Sequence, residues 1–395
     1  MNKQILVLAM SAMLLGACGK KEEPAPAVPA PVAVAPAASA AMSTPAPAVA
    51  VNAEEKVLNI YNWPDYIPDG MIAAFEKETG IKVNYDTFET NEVLQAKLVA
   101  GNTGYDIVVP GTTFVRQQID AGFLQPLDKS KIANIGNIYP EILKTLASTD
   151  EGNKYLVPWA WSFTTVGINK TKVEKFLGGL PMPENAWDLV FDPKYTSKLK
   201  SCGIAYLDSP TEIFPVALHY IGKNAYSKDM ADYKAAGEML AKVRKDVRFF
   251  SSTMIDDIAS GKACVAIAWA GDVNIAANRA KDNGSKDVIQ AMLPSTGALV
   301  FADTMAITKD AKHPLNAHKF IDFYLRPENA ASMTNSLNYA TGNKAATPLL
   351  KPEIASNPSI IVDDINLAKM IAPSSFTNEA REAMSNGFNT FKKGK

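Results

Sequence analysis

At 395 residues the chain exceeds one ordinary hydrophobic core and is expected to fold as two lobes. Its 40 Lys and Arg nearly cancel its 41 Asp and Glu, so the charge carries no footprint for nucleic acid or an acidic surface and leaves a discrete small ligand as the expected partner. The three histidines, His219, His313 and His318, have no metal-ligand spacing on a shared helix face, and the latter two lie in a Lys-containing run that reads as surface, so neither metal nor cofactor is expected.

The N-terminus reads as a targeting signal. Lys3 supplies a positive n-region, and residues 5–15 form an apolar h-region too short to span a bilayer as a stable helix. The run ends Leu15-Gly16-Ala17-Cys18, which resembles a bacterial lipobox. Residues 1–17 are then a lipoprotein signal peptide, and Cys18 becomes the diacylated mature N-terminus. An ordinary signal peptide cut near a small residue is the alternative. Multiple acyl chains hold a protein on a membrane far more durably than one. Residues 24–53 carry no charged or aromatic side chain, so 18–53 reads as a Pro/Ala-rich tether reaching up to ~3 Å per residue. With Cys18 set aside, Cys202 and Cys264 remain in a protein exported to an oxidising space. One disulfide is expected, with two buried free thiols as the alternative. Its loop of about 60 residues would stabilise by roughly 4 kcal/mol in the chain-entropy picture.

From about Glu54 the folded chain alternates strands and helices. Residues 57–63, 82–88 and 105–109 read as strands, while 69–78, 91–100 and 114–121 read as helices, the first stopped by Gly80. This alternation indicates βαβ units and a mainly parallel sheet. The long strand-like run 156–168 marks the first crossing between lobes. Beyond it, 203–207, 248–250, 264–269, 287–293 and 299–307 read as strands, the last returning to the first lobe. Pro210 opens a helix, and Tyr233, Ala236, Leu240 and Val243 have the spacing of a core-facing stripe. Residues 314–324 and 378–391 read as covering helices. The expected fold class is α/β, with 54–160 and 282–330 in lobe 1 and 161–281 and 331–395 in lobe 2. A cleft between two such lobes is where a ligand would lie.

No G-x-S-x-G elbow, H-E-x-x-H, P-loop or strand-following G-x-G-x-x-G is present, so an enzyme is disfavoured. What recurs is an aromatic beside a carboxylate at a strand end: Trp63 with Asp65 and Tyr66, Trp269 with Asp272, and Phe301 with Asp303. An ammonium group gains about 2 kcal/mol over a desolvated ring and about 1.5–3 kcal/mol from a charge-assisted hydrogen bond. Each pair also has a bland reading. Asp272 could be the N-cap of a helix over 273–281, Trp269 could be core packing, and Asp65 could hold an Asx-type turn. Asp303, inside an apolar strand, needs a partner if buried.

The runs IYNWPDYIPD, FEKETGIKVNYD, GYDIVVP, QPLDKSK, AIAWAGD and NKAATP resemble the periplasmic polyamine-binding proteins of bacterial ABC transporters, the putrescine and spermidine receptors. The resemblance runs from about Val57 to the C-terminus. It implies a two-lobed periplasmic binding protein fold of type II, each lobe a mixed sheet flanked by helices, closing on a polyamine in the interlobe cleft. It also implies a Cys202–Cys264 bridge and a periplasmic receptor that delivers its ligand to a membrane permease; with the lipobox, the expectation is a monomer lipid-anchored through Cys18. Residue by residue it implies ligand contacts at Trp63, Asp65, Tyr66, Trp269, Asp272, Phe301, Asp303 and Tyr339. Ser251 falls where the putrescine receptors have a pocket serine. Glu212 matches a family carboxylate, although Ser209-Pro210-Thr211-Glu212 also reads as a capping box. Three positions depart from the family: Pro64 in place of a hydroxyl residue, Gly111 in place of Ser or larger, and Ala302 in place of a bulkier apolar side chain. All three are expected to enlarge or depolarise the pocket, leaving the choice among putrescine, cadaverine, spermidine and other amines open. A polyamine-sensing lipoprotein acting on a signalling partner, and a surface enzyme acting on the amine, are the rival readings.

Overall fold

Strand β1 (Val57–Asn62) buries every second residue, Leu58, Ile60 and Asn62, as a half-covered strand must. In the computed structural model, which describes residues 54–394, β1 pairs in parallel with β2 (Lys82–Thr87) and β3 (Ile107–Val108). The signal segment, Cys18 and the tether lie outside the described residues. The intervening helix Met71–Thr79 buries Met71 and Phe75 and stops at Gly80, whose φ of 68° suits a residue without a Cβ. β4 (Leu124–Gln125) pairs with a much later strand.

β5 (Val157–Asn169) is buried along its length except at Trp161, as expected of a strand covered on both faces. Beyond it come β6 (Ile204–Leu207), β7 (Val247–Ser251), β8 (Val265–Trp269), β9 (Ile289–Ala291) and β10 (Leu299–Thr308). The sheet order is β2-β1-β3-β10-β5-β8-β6-β7, with β4 beside β10 and β9 beside β5. Parallel pairs at either end flank the central antiparallel pair of β5 and β10.

Two hydrophobic cores divide these strands. Val157, Trp159 and Ala160 of β5 and Met305, Ala306 and Ile307 of β10 belong to the first. Phe163, Val166 and Ile168 of β5 and Leu299 of β10 belong to the second. The lobes are therefore joined through two neighbouring strands. The register of that pair slips between Asp303 and Thr304, where Trp159 of β5 is the extra, bulged residue.

The lobe boundaries differ from expectation. Residues 282–300 stay with lobe 2, because β9 pairs with β5 and Ile289, Ala298 and Leu299 pack in the second core. The return to lobe 1 is made by β10 itself. Residues 331–343 stay with lobe 1: Met333 and Tyr339 pack in its core, and Asn343 Nδ2 donates to Leu325 O at 2.8 Å. The last crossing comes later, since Ile371 bridges to Leu299 and the C-terminal helix Asn378–Lys393 packs Ala380, Met384, Phe388 and Phe391 in the second core.

His313 and His318 are buried rather than on the surface. Asp106 gathers the His313 backbone and ring, and Asp128 N donates to His318 Nε2 at 2.8 Å. Cys202 and Cys264 form a disulfide with Cα atoms 5.7 Å apart, tying the starts of β6 and β8. Among the described residues, no helix is long and apolar enough to cross a membrane.

Candidate functional site

The two cores face each other across a cleft with about 980 Å³ of atom-free space, part of it open to solvent. Strand ends deliver its walls. β1 runs into Trp63, whose indole Nε1 donates to Val109 O at 2.9 Å, so the ring is fixed before any ligand arrives. Asp65 follows in a left-handed conformation, φ 52°, that Asp tolerates better than most residues. β8 ends in Trp269, which meets Trp63 edge-on with ring centroids 5.8 Å apart and Phe301 at 6.3 Å. Tyr66 and Tyr339 meet edge-on at 4.7 Å.

Each deep carboxylate is held by a hydroxyl. Tyr66 donates to Asp303 Oδ2 at 2.8 Å, Tyr339 to Asp272 Oδ1 at 2.5 Å, and Thr164 to Glu212 Oε2 at 2.6 Å. The Tyr339–Asp272 bond joins lobe 1 to lobe 2. Its geometry depends on Gly271, where a Cβ would lie 2.2 Å from the Tyr339 ring. Asp272 is not a helix cap. The helix begins at Ala270, which puts Asp272 in its first turn with its side chain turned to Tyr339. Nor does Glu212 close a capping box, because Ser209 makes no side-chain cap bond and Glu212 turns to Thr164.

The cleft concentrates negative charge. Asp65, Glu89, Glu212, Asp256, Asp272 and Asp303 line it, and no Lys, Arg or His is among the lining residues. Arg279 offsets two of these carboxylates at the edge, with Nη1 2.5 Å from Asp256 Oδ1 and Nη2 3.4 Å from Asp65 Oδ1. The deeper three lack such a cation. Burial pushes Asp303 up to about 8, with the Tyr66 hydroxyl tempering the rise and the Glu212 and Asp272 carboxylates adding to it. Burial likewise raises Asp272 to about 7, tempered by Tyr339, and Glu212 to about 7, tempered by Thr164. Such a site stabilises whatever brings positive charge into it, and its aromatic walls favour a cation over a neutral group. No group of three or more His, Cys, Asp or Glu among the described residues is placed to hold a metal ion.

Of the residues singled out in the sequence, Trp63, Asp65, Tyr66, Glu212, Trp269, Asp272, Phe301, Asp303 and Tyr339 line this one cleft. Ser251 does not. Its hydroxyl donates to Asp257 Oδ2 at 2.5 Å, and its neighbours Ser252 and Thr253 face the cleft instead. Pro64 and Gly111 line the cleft together with Val300, Phe301 and Asp303, but Ala302 does not. Thr164, Tyr226 and Arg279 were not singled out. For Arg279 a signal existed: it lies seven residues after Asp272, two turns along the same helix face.

Residues 70–361 match the family described as bacterial extracellular solute-binding protein. The chain is 46% identical over 310 residues to the putrescine-binding periplasmic protein PotF of Escherichia coli K12, covering 78% of this chain and 84% of that one. It is 41% identical over 348 residues to the putrescine-binding periplasmic protein SpuD of Pseudomonas aeruginosa, covering 88% of this chain and 95% of that one. Among solved structures, the spermidine/putrescine ABC transporter substrate-binding protein PotD of Streptococcus pneumoniae superposes with a TM-score of 0.69 at 28% identity, over 86% of this chain and 99% of that one.

Proposed function

Because the chain belongs to the family of bacterial extracellular solute-binding proteins, we propose that its cleft captures a putrescine- or spermidine-like polyamine and that the closed protein delivers it to the permease of an ABC transporter. It is a binding protein, not an enzyme. The observation that carries the choice of ligand is the set of three buried carboxylates, Asp303, Asp272 and Glu212, each held by a hydroxyl beside aromatic walls and none paired with a protein cation. An extended diamine answers both features, its ammonium ends meeting carboxylates and its methylenes lying against Trp63, Trp269 and Phe301. Contacts made to both lobes bias the protein towards closure. Gly111 lets the backbone pass close to two polar groups, since a Cβ there would lie 3.3 Å from Asp303 Oδ1 and 2.9 Å from Asn91 Nδ2, so any larger residue would crowd the carboxylate.

The test is calorimetry and thermal melting against putrescine, cadaverine, spermidine, neutral amino acids and small anions. Polyamines are expected to raise the melting temperature, with about 2.7 kcal/mol of stabilisation at a hundredfold excess over Kd. Asp272→Asn and Asp303→Asn should each weaken binding by about tenfold or more, the scale of a lost charge-assisted contact. Stabilisation by anions alone, or both variants binding as wild type does, would overturn the ligand assignment.

The anchor belongs to the same reading. Acylated Cys18 and the tether 18–53 would hold a monomeric receptor within reach of its permease. Intact mass of the mature protein, and its loss from membranes on Cys18→Ala, check this.

A further inference from the structure

Away from the deep carboxylates, a second set of contacts joins the lobes. Arg381 stands on the C-terminal helix Asn378–Lys393, whose Ala380 and Met384 pack in the lobe 2 core. Its guanidinium reaches across the cleft edge and donates from Nη2 to Thr113 O in lobe 1 at 2.7 Å. It lies 4.1 Å over the ring of Phe114 in lobe 1 and 5.5 Å from the ring of Phe376 in lobe 2. Phe114 is buried, yet it belongs to neither hydrophobic core, so part of its cover comes from this arginine. A reciprocal contact stands beside it. Glu92, on the lobe 1 helix Asn91–Ala100, accepts at Oε1 from Thr211 Oγ1 at 2.7 Å and from Ser209 Oγ at 3.3 Å, both at the start of the lobe 2 helix Pro210–Tyr220.

We propose that Arg381 and Glu92 are positioning residues for capture: they form an interlobe clasp that holds the closed protein without touching the ligand. The proposal rests on the polyamine-binding reading of the cleft. Thr113 and Thr211, which the two charged groups engage, line that cleft, so the clasp can form only when the walls on either side of the ligand have come together. The clasp also carries its own counterweight. Arg381 Nε and Nη1 and Glu92 Oε2 are buried without a hydrogen-bond partner among the described residues, a desolvation that opposes closure and is relieved when the lobes part. Burial lowers Arg381 to about 10, the nearby Glu92 charge working the other way. A clasp balanced in this way lengthens the bound lifetime and holds only a fraction of the empty protein closed.

The proposal is tested by stopped-flow tryptophan fluorescence with putrescine and by small-angle scattering. Arg381→Ala should raise the dissociation rate by about tenfold while changing the association rate by less than about threefold, because a contact made only after closure acts on departure. Arg381→Lys, which keeps charge but not the planar face over Phe114, should fall between, and Glu92→Gln should act in the same direction. A purely structural role predicts a lower melting temperature of the ligand-free variant with an unchanged dissociation rate, and that result overturns the clasp. If wild type binds no amine, the ligand reading fails instead. The clasp is then decided by ligand-free scattering, where Arg381→Ala should show a larger radius of gyration than wild type and equal radii overturn it.

Discussion

Asp303 shows at single-residue scale how this cleft prefers cations. It sits where the β5–β10 register slips, is 4% exposed, and has the Tyr66 hydroxyl as its partner instead of a positive charge. Raised to about 8 mainly by burial, it holds a proton at neutral pH that an arriving ammonium must displace. Polyamine affinity is therefore expected to rise with pH through the range 6–8, and binding should release protons. Calorimetry in buffers of different ionisation heat measures that release, and Asp303→Asn should remove part of it. Gly271 offers a second test. A Cβ there would lie 2.2 Å from the Tyr339 ring, so Gly271→Ala must push the ring away and break its bond to Asp272. Affinity should fall by about tenfold, and overpacking should lower stability by about 1–3 kcal/mol. An unchanged affinity would mean that Tyr339 can reorient at no loss. Asp272 and Tyr339 could be named from sequence, but the glycine between Ala270 and Asp272 could not, because its role lies in a side chain 68 positions later.

At the scale of elements, the helices 91–100 and 314–324 were legible to their end residues because local signals mark them. Thr90 caps the first with its side chain on Val93 N, and Pro314 opens the second. The lobe assignment of 282–300 was not legible. It depends on β9 pairing with β5 more than a hundred residues earlier, and nothing in the local pattern of 289–291 states that partner. Ser251 turns from the cleft for a reason that lies outside its own strand. The helix Met254–Ala259 places Asp257 within reach of its hydroxyl, and Asp257 is itself fixed by Lys262 Nζ at 2.7 Å. The disulfide is an element-level device: Cys202 and Cys264 join the parallel neighbours β6 and β8 at the ends opposite Trp269. Replacing both by Ser should lower the unfolding free energy by roughly 3–4 kcal/mol, read by denaturant titration, while polyamine affinity changes little. A large loss of affinity would show that the bridge sets the aim of β8 as well as its stability.

For the whole molecule, the deep carboxylates oppose the fold as pH rises. Asp303, Asp272 and Glu212 bind protons more tightly when folded than when unfolded, since all three are raised by burial. Their contribution is thus fully present below the ordinary carboxylate range and is lost as pH climbs through about 7–8. The ligand-free protein should melt at progressively lower temperature between pH 5 and pH 8.5, and saturating putrescine should flatten that slope by supplying the positive charge. A ligand-free melting temperature that rises across this range would contradict the buried, unpaired state of the three groups. Because burial raises all three, the ligand-free cleft keeps protons that ordinary carboxylates would have lost. A diamine brings about two positive charges. Loading therefore exchanges some protons for ammonium groups, and the receptor's net charge changes by less than the charge of its cargo. A permease facing such a receptor meets a muted electrical difference, and discrimination between full and empty carriers falls more to the outline of the closed lobes.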